Sequence, residues 1–256
     1  MKASPTSGEQ PMYHSPAVFA PFSQLIAAES TRHGGVSPMP YTSLNLGIST
    51  ADAPENVSEN RSRFWQAMRV DPRQVATSHQ IHGSQVLPVT QPGHYEGYDA
   101  LITNRAGIVL AVTIADCTPV LIFDPVHRAV AAIHAGWRGT VQNIVVKTLD
   151  RMQQDFGTLP NECYAYIGTC IDECSFEVDY DVAEQFSDAY RRFEPATGKY
   201  LVNLKKANLD QLSARGMASS RIQVSPFSTV LHNQDFFSYR HEGGQTGRML
   251  ACIGIV

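Results

Sequence analysis

The sequence predicts an α/β fold in which mixed β-sheets pack between helices. Three observations carry that expectation. Short runs rich in β-branched residues alternate with helical patterns along most of the chain. Their order is neither a strict βαβ alternation nor the even spacing of an all-β protein. After residue 50, no internal repeat and no Pro/Gly/Ser-rich linker divides the chain, and 256 residues suffice for a sizeable core.

The elements follow in order. Residues 1–14 carry Pro, Ser and Gly but no hydrophobic run, and read as a flexible N-terminal leader ahead of a single α/β domain over 15–256. A helical pattern covers about 55–68. "VATSHQIH" (75–82), "SQVLPV" (84–89), "GIVLAVTIAD" (107–116), "TPVLIFD" (118–124) and "RAVAAIHA" (128–135) read as strands. A helix is expected over 139–156, with Ile144, Val145, Leu149 and Met152 on one face, opposite Gln142, Lys147 and Arg151. Further helices are expected over 179–193 and 203–215. Gly157 and Gly216 stand where helix C-caps belong. "CYAYIGTCI" (163–171), "RIQVSPFS" (221–228) and "MLACIGIV" (249–256) complete the strands.

Composition narrows the function. A formal charge of −4 provides no field that would gather nucleic acid or anionic membrane. No apolar stretch approaches the roughly 18 residues of a membrane span, and the N-terminus has no secretory h-region. The five cysteines (117, 163, 170, 174 and 252) are an odd number without a CxxC, which fits a reducing cytoplasm.

The informative stretch is "ADCTPVLIFDPVHRAVAAIHAGWRG", residues 115–139. Asp-Pro initiates turns. A hairpin centred between Pro125 and Val126 pairs residues whose numbers add to 251, and Cys117 and His134 are such a pair. They would then face each other with Cβ atoms roughly 4.5–5.5 Å apart, whereas a one-residue slip would separate them. Cys or His alone in an apolar run is ordinarily core. Here Asp116 stands beside the Cys at a strand end, where an unpaired charge is costly. "HAGWRG" is a poor composition for a core strand, and "SHQIHGSQV" adds His79 and His82 at another strand end. A thiolate with two imidazoles is a zinc set with one open position. Cys beside His is equally a nucleophile with its base. Spacing does not separate the two.

"HQIHG", "DALIT", "ADCTPVLIFD", "AAIHAGWRGT", "FFSYR" and "TGR" together resemble the multi-copper polyphenol oxidase (laccase)-like family. Its members are also called purine nucleoside phosphorylases and peptidoglycan editing factors. The likeness runs from about Arg32 to the C-terminus and makes 15–256 the catalytic domain. It implies mixed sheets between helices, related to toxin deamidases that use a Cys–His pair. It also implies that His82, Cys117 and His134 ligate zinc, with copper as an alternative, and leaves His79 as an extra histidine. The family's early segment matches "RHGGVS" at Arg32, Gly34, Gly35 and Ser37, and "SLNLG" supplies Asn45 for substrate. Arg32 is expected to hold phosphate bidentately. Arg138, Arg240 and Arg248 are further anion candidates, and Arg61 reads as a helix-surface ion pair. "GTCI" (168–171), "SFEV" (175–178) and Ser228-Thr229 depart from the family pattern, and Cys170 and Cys174 read as buried thiols.

Three activities follow from the resemblance. The first is zinc-dependent phosphorolysis of adenosine, inosine and methylthioadenosine, with adenosine deamination as a side activity. Its partners are a small nucleoside and phosphate, with phosphate held by side chains because no P-loop is present. The second is a Cys–His hydrolase acting on a muropeptide precursor. The third, copper-dependent phenol oxidation, lacks the further histidine-rich pattern that several coppers need.

Overall fold

The computed structural model describes residues 10–256. Two six-stranded sheets lie face to face. In spatial order the first holds Tyr13–His14, Leu25–Ser30, Met249–Ile255, Val109–Ile114, Val75–His79 and Gly93–Glu96. The second holds Ile222–Val224, Tyr164–Ile167, Thr118–Asp124, Ala129–Ala135, Ala100–Thr103 and Val86–Pro88. Both mix parallel with antiparallel pairs.

The apolar pattern explains the layering. Thr118–Asp124 and Ala129–Ala135 are buried at every position, as strands covered on both faces must be. Leu121, Phe123, Val130 and Ala132 point to the core between the sheets, where they meet Leu110, Val112 and Ile253 of the first sheet. Their neighbours Val120, Ile122, Ala131 and Ile133 point the other way, against Ile144, Val145, Leu149 and Met152. Those four belong to α3 in the helix series α1 (Pro54–Met68), α2 (Trp137–Val141), α3 (Ile144–Phe156), α4 (Tyr180–Ala183) and α5 (Leu204–Ala214). On the far side of the first sheet, Phe64 and Trp65 of α1 pack on Ala28, Ala111 and Leu250. The order is helix, sheet, sheet, helix, so the expected fold class holds.

Several elements differ from expectation. Of the leader over 1–14, residues 1–9 lie outside the described residues, while Tyr13 and His14 pair with Ser30 and Glu29 as an edge strand. The helix over 139–156 is two helices, broken where Asn143 adopts a left-handed conformation (φ 58°) that asparagine tolerates. The helix over 179–193 shrinks to one turn. Arg191–Glu194 instead pairs with Lys199–Val202 in a small third sheet, because Gly198 (φ 70°) turns the chain back and Phe186 packs with Ile171, Phe176 and Val202. Leu25–Ser30, Gly93–Glu96 and Ala100–Thr103 are strands the pattern does not predict; Ala, Glu, Ser and Gly give the first two low strand propensity. No described helix is long and apolar enough to cross a membrane. All five cysteines are free, with Cys163, Cys170 and Cys252 buried and Cys174 exposed, against the expectation of a buried thiol there.

The central hairpin also shifts. Asp124 accepts from the backbone N–H of Val126 (2.9 Å) and His127 (3.1 Å), so Pro125 to Arg128 form the turn and Asp124 pairs with Ala129. His134 is therefore opposite Pro119, not Cys117. The shift is two residues, which preserves the face.

Candidate active site

Cys117 lies one residue before its strand, directly across from Gly136, with His134 diagonal to it on the same face. Gly136 is what lets the groups close up. A Cβ there would lie 3.1 Å from Cys117 Sγ and 3.2 Å from His82 Cδ2. His82 arrives from the other sheet. Its strand ends at His79, and Gln80 continues the pairing with its side chain: its Oε1 accepts from Thr113 N–H and its Nε2 donates to Thr113 O, both at 2.8 Å. The chain then turns through His82 at φ 59°. Ligand atoms of His82, Cys117 and His134 all lie within 4.8 Å of one another, and the two rings meet edge to face at 4.9 Å.

Asp99 fixes this arrangement. Fully buried, its carboxylate accepts from His134 Nδ1 (2.8 Å) and from the backbone N–H of Ile81, His82 and Gly83 at 2.7–3.2 Å. With Nδ1 engaged, His134 turns Nε2 toward the thiol. Burial acts to raise the Asp99 carboxyl, but His134 and the amides outweigh it and hold it low. Burial would likewise push the Cys117 thiol up. The His134 imidazolium and then His82 bring it down to about 6. Burial would lower His134, which the Cys117 thiolate and Asp99 raise to about 9. Two nitrogens and a sulfur, with a carboxylate on the far side of one imidazole, fit zinc and its usual outer support.

The trio opens into a cavity of about 550 Å³, within the range of small-molecule sites. Trp137, Phe176 and Tyr239 give it aromatic surface, and Arg61, Arg138, Arg240 and Arg248 give it positive charge. Arg138 is exposed and lies 4.6 Å over the Trp137 ring. Arg240 donates its backbone N–H to Asp116 and its guanidinium to the carbonyls of Ser175 and Glu177. Arg61 does not form the expected surface ion pair. It turns into the cavity and donates to Leu46 O at 2.8 Å.

Two expected site residues stand elsewhere. Asn45 is fully buried, joining Thr50, Asp52, Gly47 and Arg248. Arg32 does not line the cavity. Its Nε donates to Thr42 O, its NH1 to Asn233 O and its NH2 to Glu242 (3.0 Å), while its guanidinium covers the Phe237 ring. Arg32 thus pins the segment that carries Tyr239 and Arg240. Asp116 (φ 84°) pins it again, accepting from Thr229, Ser238 and the Arg240 backbone. At the departures, Cys170 is buried and Ser228 donates to Asp172, while Ile171 and Phe176 line the cavity.

Asp99, Gly136 and Arg61 are the residues that sequence reasoning missed. Signals existed for two: a carboxylate leading the apolar run "ALIT", and a glycine directly after the His-bearing strand.

Residues 26–256 match the family model of the multi-copper polyphenol oxidoreductase laccase. The chain belongs to this family. A "purine nucleoside phosphorylase" of Bacteroides thetaiotaomicron is 36% identical over 252 residues, covering 91% of this chain and 93% of that protein. One of Deinococcus radiodurans is 38% identical over 242 residues, covering 94% and 93%. In three dimensions, YlmD from Geobacillus stearothermophilus superposes with a TM-score of 0.89 at 33% identity, covering 96% of this chain and 99% of that one. Bacillus licheniformis YfiH gives 0.91 at 29% identity, covering 96% and 97%.

Three outcomes test this member's site. Gly136→Ala suits the local backbone (φ −67°, ψ 170°) but crowds the sulfur. Zinc affinity, read by competition with a chromophoric chelator, should fall about 10- to 100-fold, as when outer support is altered. Unchanged affinity would show that the close approach is not needed.

In metal-free protein, alkylation of Cys117 should rise through pH 6 and level off above it. The thiolate is the reactive form, and a lowered pKa makes it abundant at neutral pH. Cys163, Cys170 and Cys252, pushed up to about 12 by burial, should stay unmodified in mass spectra at pH 7. A Cys117 midpoint near the ordinary thiol value would remove the imidazolium from the account.

Arg32→Ala should lower stability by about 1–3 kcal/mol in urea unfolding, because it removes the charged partner from one oxygen of Glu242, whose other oxygen keeps Ser238 and Thr246, in a pair only 12% and 17% exposed. Unaltered stability with a raised phosphate requirement would instead return Arg32 to the substrate.

Proposed function

We propose that this chain is a zinc-dependent purine nucleoside phosphorylase acting on adenosine, inosine and methylthioadenosine, with adenosine deamination as a side activity. The observation that carries the reading is the pairing, in one cavity, of a His–Cys–His metal set with arginines free of carboxylate partners among the described residues. Phosphorolysis needs an anionic co-substrate, and a hydrolase does not. The names of the relatives point the same way.

The residues divide the work. Trp137, Phe176 and Tyr239 offer ring faces to a purine. The arginines hold phosphate against the sugar, which turns a two-molecule encounter into a positioned one. His82, Cys117 and His134 would hold the zinc, and Asp99 keeps His134 in the tautomer that presents Nε2. Zinc there supplies Lewis acidity for an oxygen of substrate or water. Copper is a weaker fit to the family's oxidase name: among the described residues this is the one group of at least three candidate ligands close enough to share a metal, and laccase chemistry needs several coppers. Five free cysteines support a reducing compartment, the cytoplasm, for the reaction.

One observation favours a second reading. A thiol held low beside a raised imidazole is a poised nucleophile and base, which suits a Cys–His hydrolase of a muropeptide precursor. Metal analysis and product chromatography separate the two. Purified protein is expected to carry about one zinc and to release purine base from inosine only with phosphate. Chelation should abolish release and zinc should restore it. Activity that survives chelation but not thiol alkylation would establish the hydrolase instead.

A further inference from the structure

Arg61 and Arg248 stand apart from the other arginines of the cavity. Each is half-buried, and the loss of water around it depresses the pKa of both guanidinium groups. Neither has a carboxylate within 4.0 Å among the described residues, whereas Arg32, at a similar depth, has Glu242. Arg248 feels Asp116 and Cys117 only from beyond ion-pair distance, and desolvation alone acts on Arg61. Partly desolvated charges so short of partners are unfavourable, and two of them in a ligand-sized cavity point to an anion from outside the chain.

One short turn holds both. Arg61 NH1 donates to Leu46 O (2.8 Å), Leu46 N–H donates to Arg248 O (3.0 Å), and Arg248 N–H donates to Asn45 Oδ1 (2.9 Å). Gly47 lies against the Arg248 stem, where an added Cβ would come within 2.6 Å of Cγ. Arg248 NH1 donates to Thr246 O and Gly247 O, which anchors one edge of its fork. Nε and NH2 of both arginines have no protein acceptor among the described residues. Two guanidinium forks tied to one turn and lining one cavity offer the donors that bind the oxygens of a phosphate group.

We propose that Arg61 and Arg248 form the subsite for a phosphate group, and that the Asn45–Leu46–Gly47 turn positions it. Asn45 then serves the site from behind, through Arg248. The phosphate arrives either as inorganic phosphate or as a monoester on the ligand. The subsite deepens the phosphorolysis reading and rests on it for the phosphate's role, but binding is measurable without turnover.

The test is calorimetric titration of the intact, zinc-loaded protein with inorganic phosphate, adenosine 5′-monophosphate and adenosine. Arg61→Met, Arg248→Met and Arg61→Lys are compared with Arg63→Met, a surface control paired with Glu59. Phosphate affinity should fall about 10- to 150-fold in both cavity Met variants, recover in part with Arg61→Lys, and stay unchanged in the control. Thermal melts without anion should show little loss in Arg61→Met, because the native guanidinium has no counter-charge. Undiminished phosphate binding in both cavity Met variants would overturn the subsite, as would a melt lowered in Arg61→Met with its phosphate response intact. Monophosphate binding that depends on both arginines, without response to free phosphate, would keep the subsite and name the monoester as its source. Arginine-dependent phosphate binding without any phosphorolysis would keep it and defeat the phosphorylase reading.

Discussion

The buried carboxylate of Asp99 is the interaction on which the site depends. The two sheets meet face to face, so the chain at their ends has no ladder to hold it. His82 follows a strand of the first sheet, and His134 ends a strand of the second. Asp99 leads the strand Ala100–Thr103 and bonds to both regions at once, through three amides of 81–83 and through His134 Nδ1. Its own carbonyl also accepts from His134 N–H at 2.7 Å. A single charged group, satisfied on both oxygens, thus joins the sheets where the chemistry lies. The desolvation cost is offset by hydrogen bonds to an ionised acceptor, which are stronger than neutral ones.

Much of this was legible, and the limits have physical causes. Apolar, β-branched runs found the strands 107–116, 118–124 and 128–135, and a period of 3.6 found the apolar face of α3, because these residues are buried against neighbouring layers. The hairpin was right in parity and wrong in offset. Parity comes from side-chain alternation, which sequence carries. Offset comes from the Asp124 carboxylate capping a four-residue turn, which sequence only hints at. The failed helix over 179–193 had weak periodicity, and its fate was set by packing in a separate cluster around Phe176.

The arginines show the same limit more sharply. Arg32 sits in a glycine- and proline-rich loop and looks available, while Arg61 sits among helix-surface charges and looks paired. The structure reverses both. Glu242, which neutralises Arg32, is 210 residues away in sequence, and the cavity that exposes Arg61 is assembled from both sheets. Local sequence reports propensity, but the partner of a charge is a tertiary fact.

The Cys117–His134 pair can serve only one master at a time. Without metal, the thiol held near 6 and the imidazole near 9 form an ion pair at neutral pH, the form a cysteine nucleophile needs. A metal ligand must be a thiolate and a neutral imidazole, so binding would displace the His134 proton while finding the sulfur already ionised. The sulfur lone pair would then be committed and the base lost. Asp99 suits either state, since a carboxylate on Nδ1 would leave Nε2 facing the sulfur or a metal alike. His82 is the residue that only the metal reading uses. A nucleophile and its base need no second imidazole, but a third ligand does, and Gly136 leaves room for one against the sulfur.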